Sequence, residues 1–382
     1  MKQDFIISKD GRKLYGFGKS FYNEDIIIPE GIEYIEYNGV SSNKPQCPNK
    51  IILPKSLRGI YGRLLSEWGV KEVEFLNEDH VHISPFSFSG NDELVKVTLP
   101  KHQKYLKDYV FNNCVNLEEV VNTKNITHLE KYVFKNCRKL KGFNWTGVYS
   151  LGDGAFYNCR SLELRDLDLS SLEVINPYTF AGCSSEFMRL PSTLRVIEPF
   201  GFANSDVNIK APISGAKPIF EGYSNIPAKL YIRQYAFAGS NISYLQFPEY
   251  GDYTVENYAF DSCNNLQYIV LTSVVKCAEN AFSNISTDVH VEWELGRHGT
   301  VMENIRMKNN YCTFTRKNIL YGKELNKSII NANRQKTQYL VQDYMRRNNL
   351  DGLLAKTGAT MRYFTVTWKD TIKEVIKEVR DK

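Results

Sequence analysis

A phenylalanine recurs at a nearly constant interval through most of the chain. The steps between successive copies are 23, 23, 22, 24, 22, 35, 23 and 22 residues, and the copies are Phe88, Phe111, Phe134, Phe156, Phe180, Phe202, Phe237, Phe260 and Phe282. A period in the low twenties is typical of a solenoid, whose units cannot bury their apolar faces alone and therefore stack on one another. The interval predicts nine stacked coils with a Phe at the same place in each.

Three further columns repeat in step with the Phe. An apolar residue stands five positions earlier in every unit, namely Ile83, Leu106, Leu129, Leu151, Ile175, Ile197, Ile232, Val255 and Cys277. An aromatic residue stands two positions earlier in seven units, at positions 86, 109, 132, 178, 200, 235 and 258. A cysteine stands three positions later in five units, as Cys114, Cys137, Cys159, Cys183 and Cys263. These columns predict continuous ladders of equivalent side chains.

A strand-like stretch follows each Phe turn. Clear copies are Leu94-Val-Lys-Val-Thr-Leu-Pro100 and Ile242-Ser-Tyr-Leu-Gln-Phe-Pro248, with apolar residues at the first, fourth and sixth places. We expect these strands to pair in parallel about 4.8 Å apart, with Pro ending them because it cannot donate to the ladder. Between strands we expect short extended or irregular return segments.

Taken together, these columns resemble the BspA-type (Treponema pallidum type) leucine-rich repeat. The resemblance rests on the order Leu-x-x-Ile-x-Leu-Pro, then apolar-x-x-x-Ala-Phe, then x-x-Cys-x-x-Leu, and it covers roughly residues 26 to 292. It implies a curved solenoid with a parallel β-sheet on the concave face. Many members of this family are surface proteins of anaerobic bacteria or parasitic protists that bind host or bacterial partners.

We therefore predict a β-rich solenoid, a leucine-rich repeat with a parallel concave sheet, followed by a small C-terminal α+β module. Residues 1–25 read as a capping hairpin around Asp10-Gly11, residues 26–299 as the solenoid, and residues 300–382 as the module. The last segment holds 17 Lys or Arg against 8 Asp or Glu, a net charge of +9, whereas the rest of the chain carries −4. Residues 212–228, a Pro- and Gly-rich insertion, read either as a partner-contacting loop or as a degenerate coil.

No enzyme motif, cofactor site or metal site is predicted. The chain has no Cys-x-x-Cys pair, no His-Glu-x-x-His and no Gly-x-Ser-x-Gly. His80 and His82 lie two residues apart without a third ligand nearby, and we expect them to be exposed to solvent. The repeated cysteines are expected to be packed free thiols, because parallel side chains on stacked coils stay too far apart for a disulfide.

The outward-facing strand residues are the strongest candidates for a binding surface. One expected row holds Lys96, Glu119, Asp166, Phe187, Asn208, Tyr244 and Tyr268, and the other holds Thr98, Val121, Asn144, Asp168, Arg189, Gln246, Val270 and His290. Aromatic residues and Arg are typical of interaction hot spots. We therefore single out Phe187, Arg189, Tyr244, Gln246 and Tyr268 as a partner-binding patch.

The resulting interpretation is a non-enzymatic interaction or assembly scaffold with protein partners. Three alternatives stay open: a structural component of a phage or other particle, an adhesin-like surface protein as in the family, and nucleic-acid contact through basic residues 300–382. The first residues lack the apolar core and cleavage site of a signal peptide. We therefore expect an intracellular or particle-associated location, or the cell surface if a leader has been removed.

Overall fold

The computed structural model describes residues 5–18, 25–36, 48–164, 172–189, 193–210, 228–247, 251–271, 274–278, 280–285, 289–294 and 311–314. Within these ranges the chain forms short strands that pair mostly in parallel from coil to coil, in five hydrogen-bonded groups that belong to two sheet faces, the β-solenoid that the repeat predicts. Helix is confined to one turn, α1 (Leu64–Glu67), and a 3-10 turn at Thr123–Asn125 in the part of the chain described. The insertion at 212–227 and the segment 315–382 lie outside the described residues.

One sheet, called here the face sheet, contains the predicted strands and consists of two portions. Its first portion has the order β11-β9-β7-β5-β3, and its second has the order β15-β17-β19-β21-β23-β24. Their bounds are β3 Asp25–Ile27, β5 Lys50–Leu53, β7 Glu72–Phe75, β9 Lys96–Thr98, β11 Glu119–Val121, β15 Ser184–Arg189, β17 Asp206–Lys210, β19 Tyr244–Phe247, β21 Tyr268–Leu271, β23 His290–Glu294 and β24 Tyr311–Phe314.

A second sheet, called here the back sheet, is formed by the return segments. Its strands are only two to five residues long, and they pair from coil to coil within three groups, β1-β2-β4-β6-β8, β10-β12-β13 and β14-β16-β18-β20-β22. Their bounds are β1 Phe5–Ile7, β2 Lys13–Phe17, β4 Tyr34–Glu36, β6 Gly59–Tyr61, β8 His82–Ile83, β10 Tyr105–Leu106, β12 His128–Leu129, β13 Ser150–Leu151, β14 Val174–Ile175, β16 Val196–Ile197, β18 Ala228–Ile232, β20 Gly251–Val255 and β22 Val274–Cys277. The return segments are thus more regular than the sequence indicates.

Antiparallel strands stand at both ends of the stack. β1 pairs antiparallel with β2 around Asp10 and Gly11, where Gly11 has a φ of +73°. At the other end β24 pairs antiparallel with β23, with Val291 opposite Phe314 and Glu294 opposite Tyr311. Because an unpaired edge strand is a template for pairing with other chains, these two additions protect the sheet edges that they cover.

The Phe column forms an unbroken ladder in the core. All nine rings are fully buried, and successive centroids lie 4.8 to 5.9 Å apart with interplanar angles of 2° to 21°. A buried Phe contributes roughly 1.5–3 kcal/mol, and a stacked aromatic pair adds about 0.5–1.5 kcal/mol. The ladder persists across the 35-residue step, since the Phe202 and Phe237 rings lie 5.0 Å apart.

The turn that carries each Phe also joins neighbouring coils through its backbone. In one coil the amides of Tyr109, Phe111 and Asn113 donate to the carbonyls of residues 131, 133 and 135, at 2.9, 2.9 and 2.7 Å. The same pattern recurs from coil to coil. These bonds explain why the ring spacing stays constant, because the turn is itself paired like a strand.

The aromatic residue two positions before the Phe adopts a left-handed backbone. All seven such residues have φ between +54° and +64°, a conformation that costs a non-glycine residue roughly 1–2 kcal/mol. Stacking between coils offsets this cost, as in the 5.0 Å pair Tyr178–Phe200 and the 5.4 Å pair Phe200–Tyr235. Gly154 takes this position in one coil with φ +58°, and the Tyr132 ring occupies the space where a Cβ would stand.

The repeated cysteines are free thiols, as expected. All five are buried, and each Sγ donates to the carbonyl of the Phe one coil earlier at 3.0 to 3.2 Å. Ser240 takes the same position and donates its hydroxyl to the Phe202 carbonyl at 2.6 Å. The column therefore provides one side-chain hydrogen bond to the Phe turn of the preceding coil.

The left-handed aromatic column is tested with two substitutions at Tyr235, whose ring stacks on Phe200 and Tyr258. Tyr235→Ala removes both contacts and keeps a Cβ in the unfavourable backbone region, so we expect a loss of about 2–3 kcal/mol. Tyr235→Gly removes the same contacts but relieves the strain, so its loss is expected to be about 1 kcal/mol smaller. Urea unfolding followed by circular dichroism measures both, and a glycine variant no more stable than the alanine variant would contradict the strain argument.

Candidate functional site

The predicted patch lies in the second portion of the face sheet. Tyr244 of β19 is in register with Tyr268 of β21, and Gln246 is in register with Val270. Tyr268 is 48% exposed and Tyr244 is half-buried, so both tyrosines belong to the outward surface of neighbouring strands. The strand pairings therefore bring together the two tyrosines that the sequence pattern places in one row.

For the other patch residues, the structure describes the backbone positions and not the side chains. A register shift in β15 between Ser185 and Met188 sets Arg189 opposite Lys210 of β17. Because Ile209 pairs with Leu245, Arg189 and Gln246 stand in one row across three strands, whereas Phe187 lies within the register shift. Side chains of Phe187, Arg189 and Gln246 are outside the described set. The prediction that His290 stands in the row of Val270 is wrong. His290 pairs with Tyr268, and Glu292 stands opposite Val270.

The first portion of the face sheet carries charge instead of aromatic rings. Along one outward row the sign alternates at every coil, in the order Asp25, Lys50, Glu72, Lys96 and Glu119. Lys96 Nζ lies 2.7 Å from Glu119 Oε2, and Lys50 Nζ lies 2.5 Å from Glu74 Oε2. The hydrogen bond that Lys96 donates to Glu119 raises the pKa of Lys96. Opposite charges on neighbouring strands favour the native register, because like charges placed opposite are destabilising.

A depression lies at the β11 end of the first portion of the face sheet. Residues 141–147 follow β11 but form no strand, although Phe143 and Trp145 occupy the columns of Val97 and Leu99. The Phe143 ring packs 5.8 Å from Phe134, and the Trp145 ring packs 4.9 Å from Phe156. The segment still lies against the coil of β11, because the Lys141 amide donates to the Glu118 carbonyl at 3.2 Å and the Asn144 amide donates to Thr123 Oγ1 at 3.1 Å. The depression beside it has a volume of about 480 Å³.

The back sheet carries a row of imidazole and phenol rings. His82 stacks on Tyr61 with centroids 5.1 Å apart, and His128 meets Tyr149 edge-on at 4.4 Å. The sequence interpretation of His80 as solvent-exposed is wrong: its ring lies 4.3 Å from Tyr105, and both ring nitrogens are buried without a hydrogen-bond partner. Burial lowers the pKa of His80, and His82, Lys104 and Lys107 lower it further.

Two observations on the described residues concern metal binding and membrane insertion. No three His, Cys, Asp or Glu side chains come together as metal ligands in the part of the chain that the structure describes. Within the same residues, no helix has the length and apolar character needed to span a bilayer.

Comparison with known families agrees with the architecture. The sequence model of the BspA type leucine rich repeat region matches six copies, over residues 13–141, 149–216 and 223–294. The chain belongs to the BspA-type leucine-rich repeat family. The match covers most of the sequence and both portions of the face sheet, and it ends at the last residue of β23, which confirms the resemblance inferred from the repeat columns.

Solved structures similar to this BspA-type chain are distant. A leucine-rich repeat protein from Bacteroides ovatus shares 16% identity over 73% of this chain and 76% of its own, with a TM-score of 0.44. The Treponema pallidum leucine-rich repeat protein shares 15% identity over 55% and 82%, with a TM-score of 0.27, and the pneumococcal vaccine antigen PcpA shares 12% over 76% and 87%, with a TM-score of 0.35. No curated protein matches the chain significantly.

The thiols of this BspA-type repeat are poor candidates for chemistry. Burial raises the pKa of Cys183 and of Cys263 to about 12, and it raises the pKa of Cys137 and Cys159 well above the ordinary value. Because the thiolate is the nucleophile and the metal ligand, these side chains have a structural role as small apolar fillers that donate one hydrogen bond.

Sequence reasoning missed the depression, although a signal for it exists. Gly142 occupies the outward row where Lys96 and Glu119 stand in the preceding coils, and two large aromatic residues, Phe143 and Trp145, follow in the inward columns. Because glycine weakens the interior of a strand, Gly142 indicates an irregular coil. Its effect on strand pairing depends on the rings of the neighbouring coils and cannot be derived from one coil alone.

The environment of His80 predicts a pH effect on stability. The pKa of His80 is lower in the folded protein than in the unfolded chain. Below pH 6.5 the unfolded chain therefore binds a proton at His80 more readily than the folded protein does. Stability is therefore expected to fall as the pH decreases from 7 to 5.5. His80→Phe keeps a ring against Tyr105 and should reduce that fall in urea unfolding experiments. His102→Gln, at an exposed position, is the control, and an equal pH slope in wild type and His80→Phe would contradict the assignment.

Proposed function

We propose that the protein is a non-enzymatic interaction scaffold that binds a protein partner through the face sheet. The proposed contact centre is the patch formed by Phe187, Arg189, Tyr244, Gln246 and Tyr268. The observation that carries the proposal is the pairing of Tyr244 with Tyr268 on adjoining strands, with Tyr268 about half exposed. Membership of the leucine-rich repeat family supports a binding role at this coarse level.

Physical chemistry favours this surface for protein recognition. Tyr rings provide large contact area at a small cost in side-chain entropy, and aromatic residues with Arg are enriched among the residues that dominate binding energy. The strands beneath the rings are ordered by coil stacking before any partner arrives, so little further ordering is needed on binding. The charged portion of the sheet differs, since its Lys and Glu side chains already neutralise each other.

The patch is tested by Tyr244→Ala combined with Tyr268→Ala. We expect at least about a tenfold loss in capture of the partner from native lysate, because truncating a hot-spot residue typically costs 1–2 kcal/mol or more. Captured proteins are identified by mass spectrometry, and thermal unfolding verifies that stability is retained. Tyr149→Ala removes an equally exposed ring, 53% accessible, from the back of the molecule and is the matched control. Unchanged capture by the double variant would reject the patch.

The division into residues 1–25, 26–299 and 300–382 is also a proposal, and strand β24 bears on the second boundary. Tyr311–Phe314 lies in the third segment by sequence but pairs with β23. We expect deletion of residues 316–382 to leave the circular dichroism spectrum and thermal midpoint of the solenoid unchanged. Deletion of residues 300–382 should uncover the β23 edge and promote self-association, detected by light scattering. Melting of the solenoid after the shorter deletion would contradict a separate C-terminal module.

A further inference from the structure

Aromatic rings follow one another across five successive coils of the back sheet. They occupy the outward position that precedes the buried Ile or Leu of each back strand, and none of them is fully buried. This set, called here the ring row, consists of the rings of Tyr34, Tyr61, His82, Tyr105 and His128. The next coil has Ser150 in register with His128, so the ring row ends there.

The Tyr61 ring fills a place in the ring row that the strand register gives to a glycine. Gly59 pairs with Tyr34 on one side and with His82 on the other. A Cβ added to Gly59 would stand 2.7 Å from Cε2 of Tyr61, so this ring lies over the glycine. Its centroid is 5.1 Å from His82 and 6.2 Å from Tyr34. The glycine thus leaves no gap between the two neighbouring rings.

The ring row also continues across a break in backbone pairing. Strands β8 and β10 belong to different hydrogen-bonded groups, and the side chain of Gln103 bridges them. Its amide donates to the carbonyls of Val81 at 3.1 Å and Tyr105 at 2.9 Å, and its oxygen accepts from the Val81 amide at 3.1 Å. The His80 ring packs 4.3 Å from Tyr105 at this break. Ring contacts therefore extend over the point where the ladder is interrupted.

The residues beside the ring row are polar and their charges are paired. The outward column on the other side of the buried Ile or Leu holds Glu36, Tyr61, Ser84, Lys107 and Glu130. Lys107 Nζ lies 2.7 Å from Glu130 Oε1, and Lys13 Nζ lies 2.7 Å from Glu36 Oε1. Ser84 Oγ lies 3.3 Å from His82 Nε2. From β4 to β12 these two outward columns contain no aliphatic residue, and neither sign of charge is in excess among the ion pairs.

We propose that the ring row binds a neutral, extended oligosaccharide of β-1,4-linked pyranose units. The chain runs along the stack of coils, and each sugar packs its C–H face on one ring, whose face is electron-rich. Strands stand about 4.7–4.9 Å apart, which is close to the length of one sugar in such a chain, so consecutive sugars meet consecutive coils. Hydroxyl groups of the sugars exchange hydrogen bonds with the side chains of Ser84, Lys107 and Glu130.

The chemistry of this surface favours a sugar over a protein or a polyanion. A protein interface has a desolvated apolar centre, whereas the ring row lies between ion pairs and hydroxyl groups without aliphatic neighbours. A polyanion requires cations that are not already neutralised, whereas Lys107 and Lys13 each bond a carboxylate. A neutral sugar needs an apolar ring face and nearby donors and acceptors, and both are present. The proposal does not rest on the face-sheet patch, because it concerns the other sheet.

The probes are cellohexaose, β-1,4-mannohexaose and β-1,4-xylohexaose, each titrated into the full chain by isothermal titration calorimetry. We expect at least one of them to bind, and its dimer to bind about tenfold more weakly or less, because a dimer reaches fewer rings. A heparin hexasaccharide is the anionic comparison, and it is expected to bind more weakly than the best neutral hexamer.

Variants of the protein locate the contact. Tyr61→Ala and Tyr105→Ala should each weaken binding about tenfold, the loss of one ring contact of about 1.4 kcal/mol. Gly59→Ala keeps every ring but places a methyl group where the Tyr61 ring lies, so it should also weaken binding. Thermal unfolding verifies that each variant is folded, and Gly59→Ala and Tyr61→Ala provide the answer should Tyr105→Ala fold poorly.

Tyr231→Ala is the matched control. Tyr231 stands in the same column outside the ring row, is 37% exposed against 39% for Tyr61, and has Val196 and Thr254 as its neighbours. It should bind the hexamer like the wild type, as should the Tyr244→Ala and Tyr268→Ala double variant, so this proposal and the proposed function can fail separately.

Four results would each overturn the assignment. They are no binding of any of the three neutral hexamers, equal affinity for hexamer and dimer, tighter binding of the heparin hexasaccharide, and an equal loss in Tyr231→Ala and Tyr61→Ala. Loss of a captured protein in Tyr61→Ala, with no hexamer bound by the wild type, would identify the ring row as a protein contact instead.

Discussion

Stacking of the Phe turn from one coil to the next is the interaction on which the whole structure depends. Two or three backbone hydrogen bonds join each Phe turn to the next, and the rings that these turns carry form a fully buried ladder at spacings of 4.8 to 5.9 Å. The cysteine column adds a thiol hydrogen bond to the preceding Phe carbonyl. Because these contacts are between neighbours, each coil is stabilised by the coil on either side, and both sheets inherit their register from the turn that joins them.

In the aromatic column outside the Phe ladder, stacking between coils offsets the strain of the left-handed backbone. A left-handed aromatic residue is unfavourable by itself, but in the stack its ring gains contacts with the rings of neighbouring coils, as the Tyr235 ring does with Phe200 and Tyr258. Gly154 interrupts the column between Tyr132 and Tyr178 without interrupting the Phe ladder, since the Phe156 ring still stacks on both neighbours. The ladder of Phe, rather than the outer aromatic column, is therefore the continuous element of the fold.

The face sheet combines two surfaces with different chemistry. The first portion carries a row of alternating charges that satisfy one another, and the second carries the two tyrosines on paired strands. At the end of the first portion, residues 141–147 form an irregular coil that still hydrogen-bonds to the coil of β11. A stacked solenoid can thus present different side-chain chemistry along one face.

The amino-acid sequence by itself determined the coil, its period and the inward columns. Residues such as Phe134, Leu129 and Cys137 recur at fixed offsets, and only in-register stacking buries all equivalent side chains at once. The inert thiols followed from the same argument. The left-handed tyrosines, the regular pairing of the back sheet and the burial of His80 against Tyr105 were decided by tertiary structure, because each depends on the coil above or below. The irregular coil at residues 141–147 was decided in the same way, since its hydrogen bonds to Glu118 and Thr123 depend on the preceding coil.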